Sequence, residues 1–270
     1  MSARDTYPHG VPCWVETVTG DSKAARRFYA GLFGWEFAGS GQPSGDPPEE
    51  YFVARLDGHD VAGIAPLPGG IEPPAPAWYT HVAVDDVAAA TARARDAGAD
   101  VLLADYDARP AGRLSVLSDP SDAVFGLWQG ASRAGAARVN EPSAWAMSLL
   151  STPDPERAEA FYAELFGWRA EAFDAGADGQ VWLWRLPGYL GGEPQQPVPR
   201  DVVAAMTISE AGSARWDVDF WVTDADLAAS AAPELGGSVV AAPFETGGFR
   251  RTVLADPRGA PLSVSQLLLG

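Results

Sequence analysis

The sequence predicts an α+β fold built from two homologous domains in tandem, and three repeated blocks support this prediction. Trp14–Trp35 and Trp145–Trp168 both end in the pattern FYAxLFGW, and the second block is two residues longer near its first loop. Further along, WYTHVAVDD from Trp78 matches WDVDFWVTD from Trp216. A third pair, VLSDPSDAVFGLWQ and VLADPRGAPLSVSQ, closes each copy. Because the order and spacing of the three blocks are kept, we interpret the chain as a duplication.

The stretch between the two copies reads GASRAGAARVNEP, which is small and polar and therefore typical of a linker. We expect the first domain at 1–130, the linker at 131–142 and the second domain at 143–270. A chain of 270 residues is long enough to form two ordinary domain cores.

Each copy begins with a pattern of strand, helix and hairpin. WVETV is short, β-branched and alternating, which favours a strand. Asp21 is a good helix N-cap, and apolar residues at helical spacing predict a helix over Asp21–Leu32, with its counterpart over Asp154–Leu165. The segments YFVARL and VAGIAPL flank Asp57 and Gly58, which indicates a hairpin.

The pattern then restarts within the same copy. WYTHVAV predicts a strand, Asp85 or Asp86 a helix cap, and VAAATARARDAG a helix that ends at Gly98. VLSDP and VFGLWQ predict closing strands. Each copy is therefore expected to consist of two βαβββ units.

Composition and charge exclude several classes of partner. With 36 acidic and 19 basic residues the formal net charge is −17, which repels phosphate backbones and anionic lipids, so we expect no nucleic-acid and no membrane partner. The same charge could attract a ligand that bears an amino group. Cys13 is the only cysteine, which excludes an internal disulfide and a cysteine-based metal site. The sequence shows no secretory signal pattern and no run of about 18 apolar residues, so we expect a cytoplasmic protein.

The blocks FYxxLFGW, VxxDVxAA and DPxxxxxGL resemble the vicinal oxygen chelate superfamily, which includes glyoxalases, extradiol dioxygenases and bleomycin-resistance proteins. The resemblance covers nearly the whole chain, twice. It implies that paired βαβββ units curl eight strands into an open cup whose concave wall binds the ligand. It implies less about activity, because the superfamily contains metal-dependent isomerases, lyases and oxygenases as well as metal-free drug binders.

The resemblance also places metal ligands, usually His, Glu or Gln, on the first strand and on a late strand of each unit. In the first copy these positions fall at four residues that are poor ligands: Trp14, Ala62, Tyr79 and Gly126. In the second copy they fall near Trp145 or Met147, on or beside VWLWRL, at Asp217 and at Ser263. Only Asp217 could bind a hard cation, and one carboxylate does not make a site. We therefore expect no metal and no cofactor.

Glu16 and His81 keep a chemical alternative open. Each lies two residues past a ligand position, so strand alternation keeps it on the same face. The pair could form a residual metal site or a metal-free general acid/base couple. The alternative is that His81 hydrogen-bonds a ligand or a neighbouring hydroxyl while Glu16 is a solvated strand residue.

Ten tryptophans are the second unusual feature of the chain. Trp35 and Trp168 follow a helix in each LFGW block, which predicts packing in the core or between domains. The aromatic residues that share strand parity with the ligand positions predict an aromatic-walled pocket: Trp14, Tyr79, Trp128, Trp145 and Trp221. The alternative is that these aromatics fill the cups and leave no cavity. Trp182 and Trp184 share a face of another strand, and the sequence does not indicate which face.

These observations favour a metal-independent protein that binds or sequesters a planar aromatic natural product. The family resemblance implies a link to antibiotic resistance or biosynthesis. The candidate ligand-binding residues are Trp14, Glu16, Tyr79, His81, Trp128, Trp145, Met147, Asp217 and Trp221.

Two other classes of function stay open. One is an enzyme, a hydroxylase, lyase or isomerase, that uses Glu16 and His81 with or without a metal. The other is a structural or interaction protein with filled cups. The sequence does not indicate the ligand, which cup functions, or whether the chain forms a homodimer or associates with a tailoring enzyme.

Overall fold

The computed structural model describes residues 4–39, 50–66, 76–174, 180–191, 199–209 and 212–268. Within these ranges, none of the helices has the length and apolar character needed to cross a membrane.

The first copy follows the predicted order of two βαβββ units. Its elements are β1 (Pro12–Thr19), α1 (Ser22–Phe33), β2 (Glu36–Gly39), β3 (Phe52–Leu56), β4 (His59–Pro66), β5 (Trp78–Ala83), α2 (Val87–Asp96), β6 (Asp100–Asp107), β7 (Gly112–Ser118) and β8 (Val124–Gly130). These strands form one sheet in the order β2-β3-β4-β1-β5-β8-β7-β6.

The second copy repeats this architecture. Its elements are β9 (Trp145–Thr152), α3 (Pro155–Phe166), β10 (Arg169–Asp174), β11 (Gln180–Arg185), β12 (Val202–Ile208), β13 (Arg215–Trp221), α4 (Ala225–Glu234), β14 (Ser238–Thr246), β15 (Phe249–Ala255) and β16 (Pro261–Leu267). The sheet order, β10-β11-β12-β9-β13-β16-β15-β14, is the same as in the first copy. The predicted α+β class and the duplication are confirmed, whereas the exact domain limits stay a prediction.

The helix boundaries follow from the capping residues that the sequence indicated. Asp21 Oδ1 accepts a hydrogen bond of 2.9 Å from the backbone N–H of Ala24 at the start of α1. Gly34 ends α1 in the left-handed conformation at φ 72°, which a residue without Cβ adopts at little cost. Asp154 and Gly167 have the same roles at the two ends of α3.

The hydrophobic core is shared between the copies. In one cluster, residues of the second unit of the first copy, such as Phe125, pack against Tyr162 and Trp168 of the second copy. A second cluster joins residues of the first unit, such as Phe33, to Phe220 of the second copy. Each unit therefore buries its helix side against a unit of the other copy.

A matched pair of buried hydrogen bonds joins the copies. The Tyr29 hydroxyl donates to Asp256 Oδ2 at 3.1 Å, and the equivalent Tyr162 hydroxyl donates to Asp119 Oδ2 at 3.0 Å. The prediction that the tryptophans of the LFGW blocks pack in the interior is confirmed, because Trp35 and Trp168 are both buried. Their indole N–H groups donate to backbone carbonyls just before the first strand of the opposite copy.

Candidate functional site

The two faces of the second sheet have different environments. Trp184 on β11, Met206 on β12 and Phe220 on β13 face the shared core and are fully buried. The alternate residues on the same strands line a cavity of about 710 Å³, among them Leu183, Ala205, Asp219 and Trp221. We call this cavity the second cup. Trp182 and Trp184, whose face the sequence left open, both pack on the core side.

Aromatic and sulfur-containing side chains form part of the wall of the second cup. Trp145 and Met147 of β9, Trp221 of β13 and Phe249 of β15 all line it. The rings of Trp221 and Phe249 lie 6.4 Å apart between centroids at 40°. Trp145 is 5% exposed, and its indole Nε1 has no acceptor among the described residues. A buried N–H without a partner costs about 1–3 kcal/mol, which a ligand oxygen could offset.

A polar cluster interrupts the apolar wall of the second cup. Asp219 Oδ1 accepts hydrogen bonds from the Ser265 hydroxyl at 2.7 Å and from Arg251 Nη2 at 3.2 Å. Burial raises the pKa of the Asp219 carboxyl above its ordinary value, although Arg251 and Ser265 act in the opposite direction. The cluster therefore offers a donor and acceptors beside aromatic surface.

On the corresponding face of the first sheet, four side chains form a continuous chain of polar contacts. Trp14 Nε1 donates to the Tyr51 hydroxyl at 2.9 Å, and this hydroxyl donates to Glu16 Oε2 at 2.7 Å. Glu16 Oε1 lies 3.1 Å from His81 Nε2. The side chain of His81 is 2% exposed and that of Glu16 is 13% exposed. We call these four residues the first-cup network.

The first-cup network shifts the pKa values of its members. Burial alone would raise the pKa of Glu16, but the His81 ring and the hydrogen bonds of Tyr51 and Trp14 outweigh it and lower that pKa. Burial, reinforced by the Glu16 charge, raises the pKa of the Tyr51 hydroxyl well above its ordinary value. Glu16 therefore stays ionised near neutral pH, and Tyr51 stays protonated as its donor.

Two glycines make room for the first-cup network. A Cβ at Gly126 would lie 1.9 Å from His81 Nδ1, and a Cβ at Gly63 would lie 2.0 Å from the Tyr51 hydroxyl. Since neither distance is compatible with a real side chain, the two rings require glycine beneath them.

Strand register shows which residues of the two cups are equivalent. Trp14 pairs with His81, as Met147 pairs with Asp219. Glu16 pairs with Gly63, as Leu149 pairs with Ala205. Val53 pairs with Gly63 as Leu183 pairs with Ala205. Tyr51 and Val181 each lie two residues before these strand residues, so they are equivalent too. At equivalent positions the second cup therefore has Met147, Leu149, Val181 and Asp219.

The described residues do not fit a metal ion in either cup. No group of three or more His, Cys, Asp or Glu side chains placed to hold a metal occurs among them. In the first cup, Glu16 and His81 contact each other, and the remaining oxygen of Glu16 accepts from Tyr51. A catalytic zinc-type site needs about three protein ligands, so this donor set falls short.

The structure divides the predicted site residues into separate groups. Trp145, Met147 and Trp221 line the second cup, whereas Asp217 is absent from its lining and contacts Ser151 and Arg215 instead. In the first copy, the predicted residues Trp14, Glu16 and His81 meet in the first-cup network. Tyr79 on β5 is the strand partner of Glu16 on the adjacent β1. Trp128 is buried, and its Nε1 donates to the backbone carbonyl of Arg133 in the linker at 3.0 Å.

Sequence reasoning missed several residues of both cups. Tyr51 connects Trp14 to Glu16, and its only signal was its place at the start of a predicted strand. Ser265 and Phe249 belong to the second cup, although Ser265 lies in the third repeated block and Phe249 lies in no motif. Arg251 follows Arg250 in the sequence, but its contact with Asp219 depends on pairing between strands that are distant in the chain.

Comparison with known proteins gives a consistent family. The model of a glyoxalase-like domain matches residues 14–128 and again 147–265. CFP32 of Mycobacterium tuberculosis is 37% identical over 268 residues, which cover 98% of this chain and 97% of that protein. The anthracycline biosynthesis protein DnrV of Streptomyces peucetius is 32% identical over 279 residues, covering 98% of this chain and 96% of the relative.

Solved structures agree on the fold. The Mn(II)-bound glyoxalase from Novosphingobium aromaticivorans superposes with a TM-score of 0.64 at 15% identity, covering 100% of this chain and 84% of that chain. The 2,3-dioxygenase LapB from Pseudomonas sp. KL28 gives 0.62 at 15% identity, with 96% and 93% covered. The chain therefore belongs to the glyoxalase-like family of the vicinal oxygen chelate superfamily, as a tandem two-domain member.

Proposed function

We propose that the second cup binds a planar aromatic small molecule without a metal. The observation that carries this proposal is the cavity itself, because about 710 Å³ lies within the range of pockets for organic ligands. Its wall combines apolar and aromatic surface with a few polar groups, which is typical of such pockets.

The available contacts are sufficient for useful affinity. Stacking on an aromatic side chain contributes about 1–3 kcal/mol per contact, by analogy with base stacking. Trp221 and Phe249 offer two such surfaces, and Met147 offers a polarisable apolar contact beside them. Micromolar binding requires about 8 kcal/mol, and burial of apolar area can supply the remainder.

The relatives support an aromatic polyketide as the class of ligand. Two of them, DauV of Streptomyces sp. strain C5 and DnrV, are named as anthracycline biosynthesis proteins and align with nearly the whole of this chain. An anthracycline aglycone is therefore the appropriate first probe, because it offers a flat ring system and an edge of hydroxyl and keto oxygens.

Isothermal titration calorimetry with such an aglycone tests the proposal. We expect saturable binding in the micromolar range and a loss of at least about fivefold in affinity for Trp221→Ala, which removes one stacking contact. Trp182→Ala is the matched control, since Trp182 lies on the opposite face of the same sheet and packs against the core. Absence of heat with any planar aromatic probe, or equal losses in both variants, would contradict the proposal.

A second candidate function, proton transfer in the first cup, is favoured by the contact between Glu16 and His81. The two groups lie 3.1 Å apart, and Glu16 retains partial exposure. A carboxylate beside an imidazole is a competent acid/base couple. If this candidate is correct, purified protein converts an added substrate, and Glu16→Gln abolishes the conversion. Unchanged turnover in Glu16→Gln would exclude the pair as the catalyst.

A further inference from the structure

Among the residues that the structure describes, the lining of the second cup has the opposite charge to the chain as a whole. Four described arginines line it against two described carboxylates, Glu171 and Asp219, whereas the whole chain carries −17. Adding Asp201, which contacts Arg185 from outside the lining, still leaves an excess of positive charge. A local excess of cations in so acidic a protein indicates the sign of the group that the cavity accepts.

Two of the four arginines are already neutralised by carboxylates. Arg185 lies between Glu171 at 2.6 Å and Asp201 at 2.5 Å. Arg251 contacts Asp219 at 3.2 Å. The charges of Arg185 and Arg251 are therefore largely balanced by carboxylates of the protein itself.

The other two arginines have neutral partners. Arg4 Nη1 donates to the Tyr189 hydroxyl at 2.8 Å, and Arg200 Nε donates to the carbonyl of Gly191 at 3.0 Å. In the part of the chain that the structure describes, neither guanidinium has a carboxylate within ion-pair distance. These hydrogen bonds orient both guanidinium groups without cancelling their charge.

Arg4 and Arg200 belong to one region of the cup, which we call the arginine rim. Their partners Tyr189 and Gly191 adjoin closely, since a Cβ at Gly191 would lie 2.1 Å from the Tyr189 hydroxyl. Both arginines also line the cavity that contains the aromatic wall. A single ligand can therefore contact the wall and the rim together.

We propose that the ligand of the second cup carries an anionic group, a carboxylate or an ionised phenol, which Arg4 and Arg200 bind. This inference rests on the proposed binding function and specifies its ligand. A guanidinium binds carboxylates through paired N–H donors, which suits such a group. The acidic remainder of the chain disfavours an anion at long range, but charges beyond about 8 Å are largely screened at physiological salt, so the rim dominates. The overall charge had instead suggested a ligand with an amino group.

A pair of probes that differ only in charge tests the inference. An anthraquinone carboxylic acid and its neutral primary amide have nearly the same shape and are titrated calorimetrically at physiological and at high salt. We expect the acid to bind roughly three- to tenfold more tightly at physiological salt, the range for one or two partly exposed ion pairs, with a smaller preference at high salt. The double variant Arg4→Gln/Arg200→Gln should lose this preference and retain the affinity for the amide.

The matched control removes the same charge elsewhere. Arg93 and Arg95 are exposed on α2 of the first copy, so Arg93→Gln/Arg95→Gln should keep the full preference for the acid. Equal affinity for acid and amide in the native protein overturns the inference while leaving the binding function intact. A preference that survives in the rim variant also overturns it. Failure of both probes to bind overturns the proposed function instead.

Discussion

The two cups are built on sheets of the same strand order, yet they have different contents. Where the first has Trp14, Glu16, Tyr51 and His81 in one chain of contacts, the second has Met147, Leu149, Val181 and Asp219 beside an open cavity. The backbone positions are equivalent by strand register. The difference shows that side chains at equivalent register positions give the two cups different surfaces, a buried polar network in the first and an aromatic-walled cavity in the second.

The comparison predicts the largest effect for removal of the first-cup carboxylate. Glu16→Ala leaves the buried His81 ring and the Tyr51 hydroxyl without their shared partner, and two buried polar groups left unsatisfied together cost about 3 kcal/mol of unfolding free energy. The register-matched Leu149→Ala removes only partly exposed apolar surface and should cost about 1 kcal/mol. Urea denaturation followed by circular dichroism measures both. Equal losses would show that the first-cup network does not contribute in this way.

A smaller effect is expected where the network requires glycine. Gly126→Ala forces the buried His81 ring away from its position, and overpacking of this kind costs about 1–3 kcal/mol. The equivalent position in the second sheet is Ser263, which pairs with Asp219 as Gly126 pairs with His81. Ser263→Ala should change the unfolding free energy by less than about 0.5 kcal/mol. Thermal denaturation of both variants tests the asymmetry, which a tolerated alanine at Gly126 would contradict.

The order of helices and strands could be predicted almost completely from the sequence because its signals are local, whereas the eight-stranded cup was implied by the family resemblance. Caps such as Asp21 and Asp154, glycines after helices and alternating strands depend on neighbours in the chain, and all appear where expected. The prediction that Glu16 and His81 share a face also succeeded, because strand alternation is a local property.

The contents of the cups could not be predicted in the same way. The Tyr51 hydroxyl reaches Glu16 through the pairing of β3, β4 and β1, and Arg251 reaches Asp219 through that of β15, β16 and β13. Such contacts depend on strand order and on bulges. A bulge occurs at the same place in both copies, after Pro12 in β1 and after Trp145 in β9, so the counterpart of Trp14 is Met147 and not Trp145.

The final and smallest predicted effect concerns pH, for which the two cups should respond in opposite directions. The pKa of Glu16 is lowered in the folded state, so the ionised carboxylate stabilises the fold above the ordinary value of 4.5, and this stability is lost as pH falls through the lowered pKa. The pKa of Asp219 is raised, mainly by burial. Between 3.8 and that raised pKa, the folded state holds a proton that the unfolded chain has released, so stability falls as pH rises through this interval.

Substitutions that cannot titrate separate the two contributions. As the pH is lowered, the native protein should lose stability relative to Glu16→Gln and gain stability relative to Asp219→Asn. Urea denaturation at a series of acidic pH values measures both differences, and comparison with the native protein at each pH removes the contribution of the other carboxylates. Slopes of the same sign would mean that the two cups hold their carboxylates in similar environments. Opposite slopes follow if hydrogen bonds and the His81 ring dominate the pKa of Glu16 in the first cup, whereas burial dominates the pKa of Asp219 in the second cup.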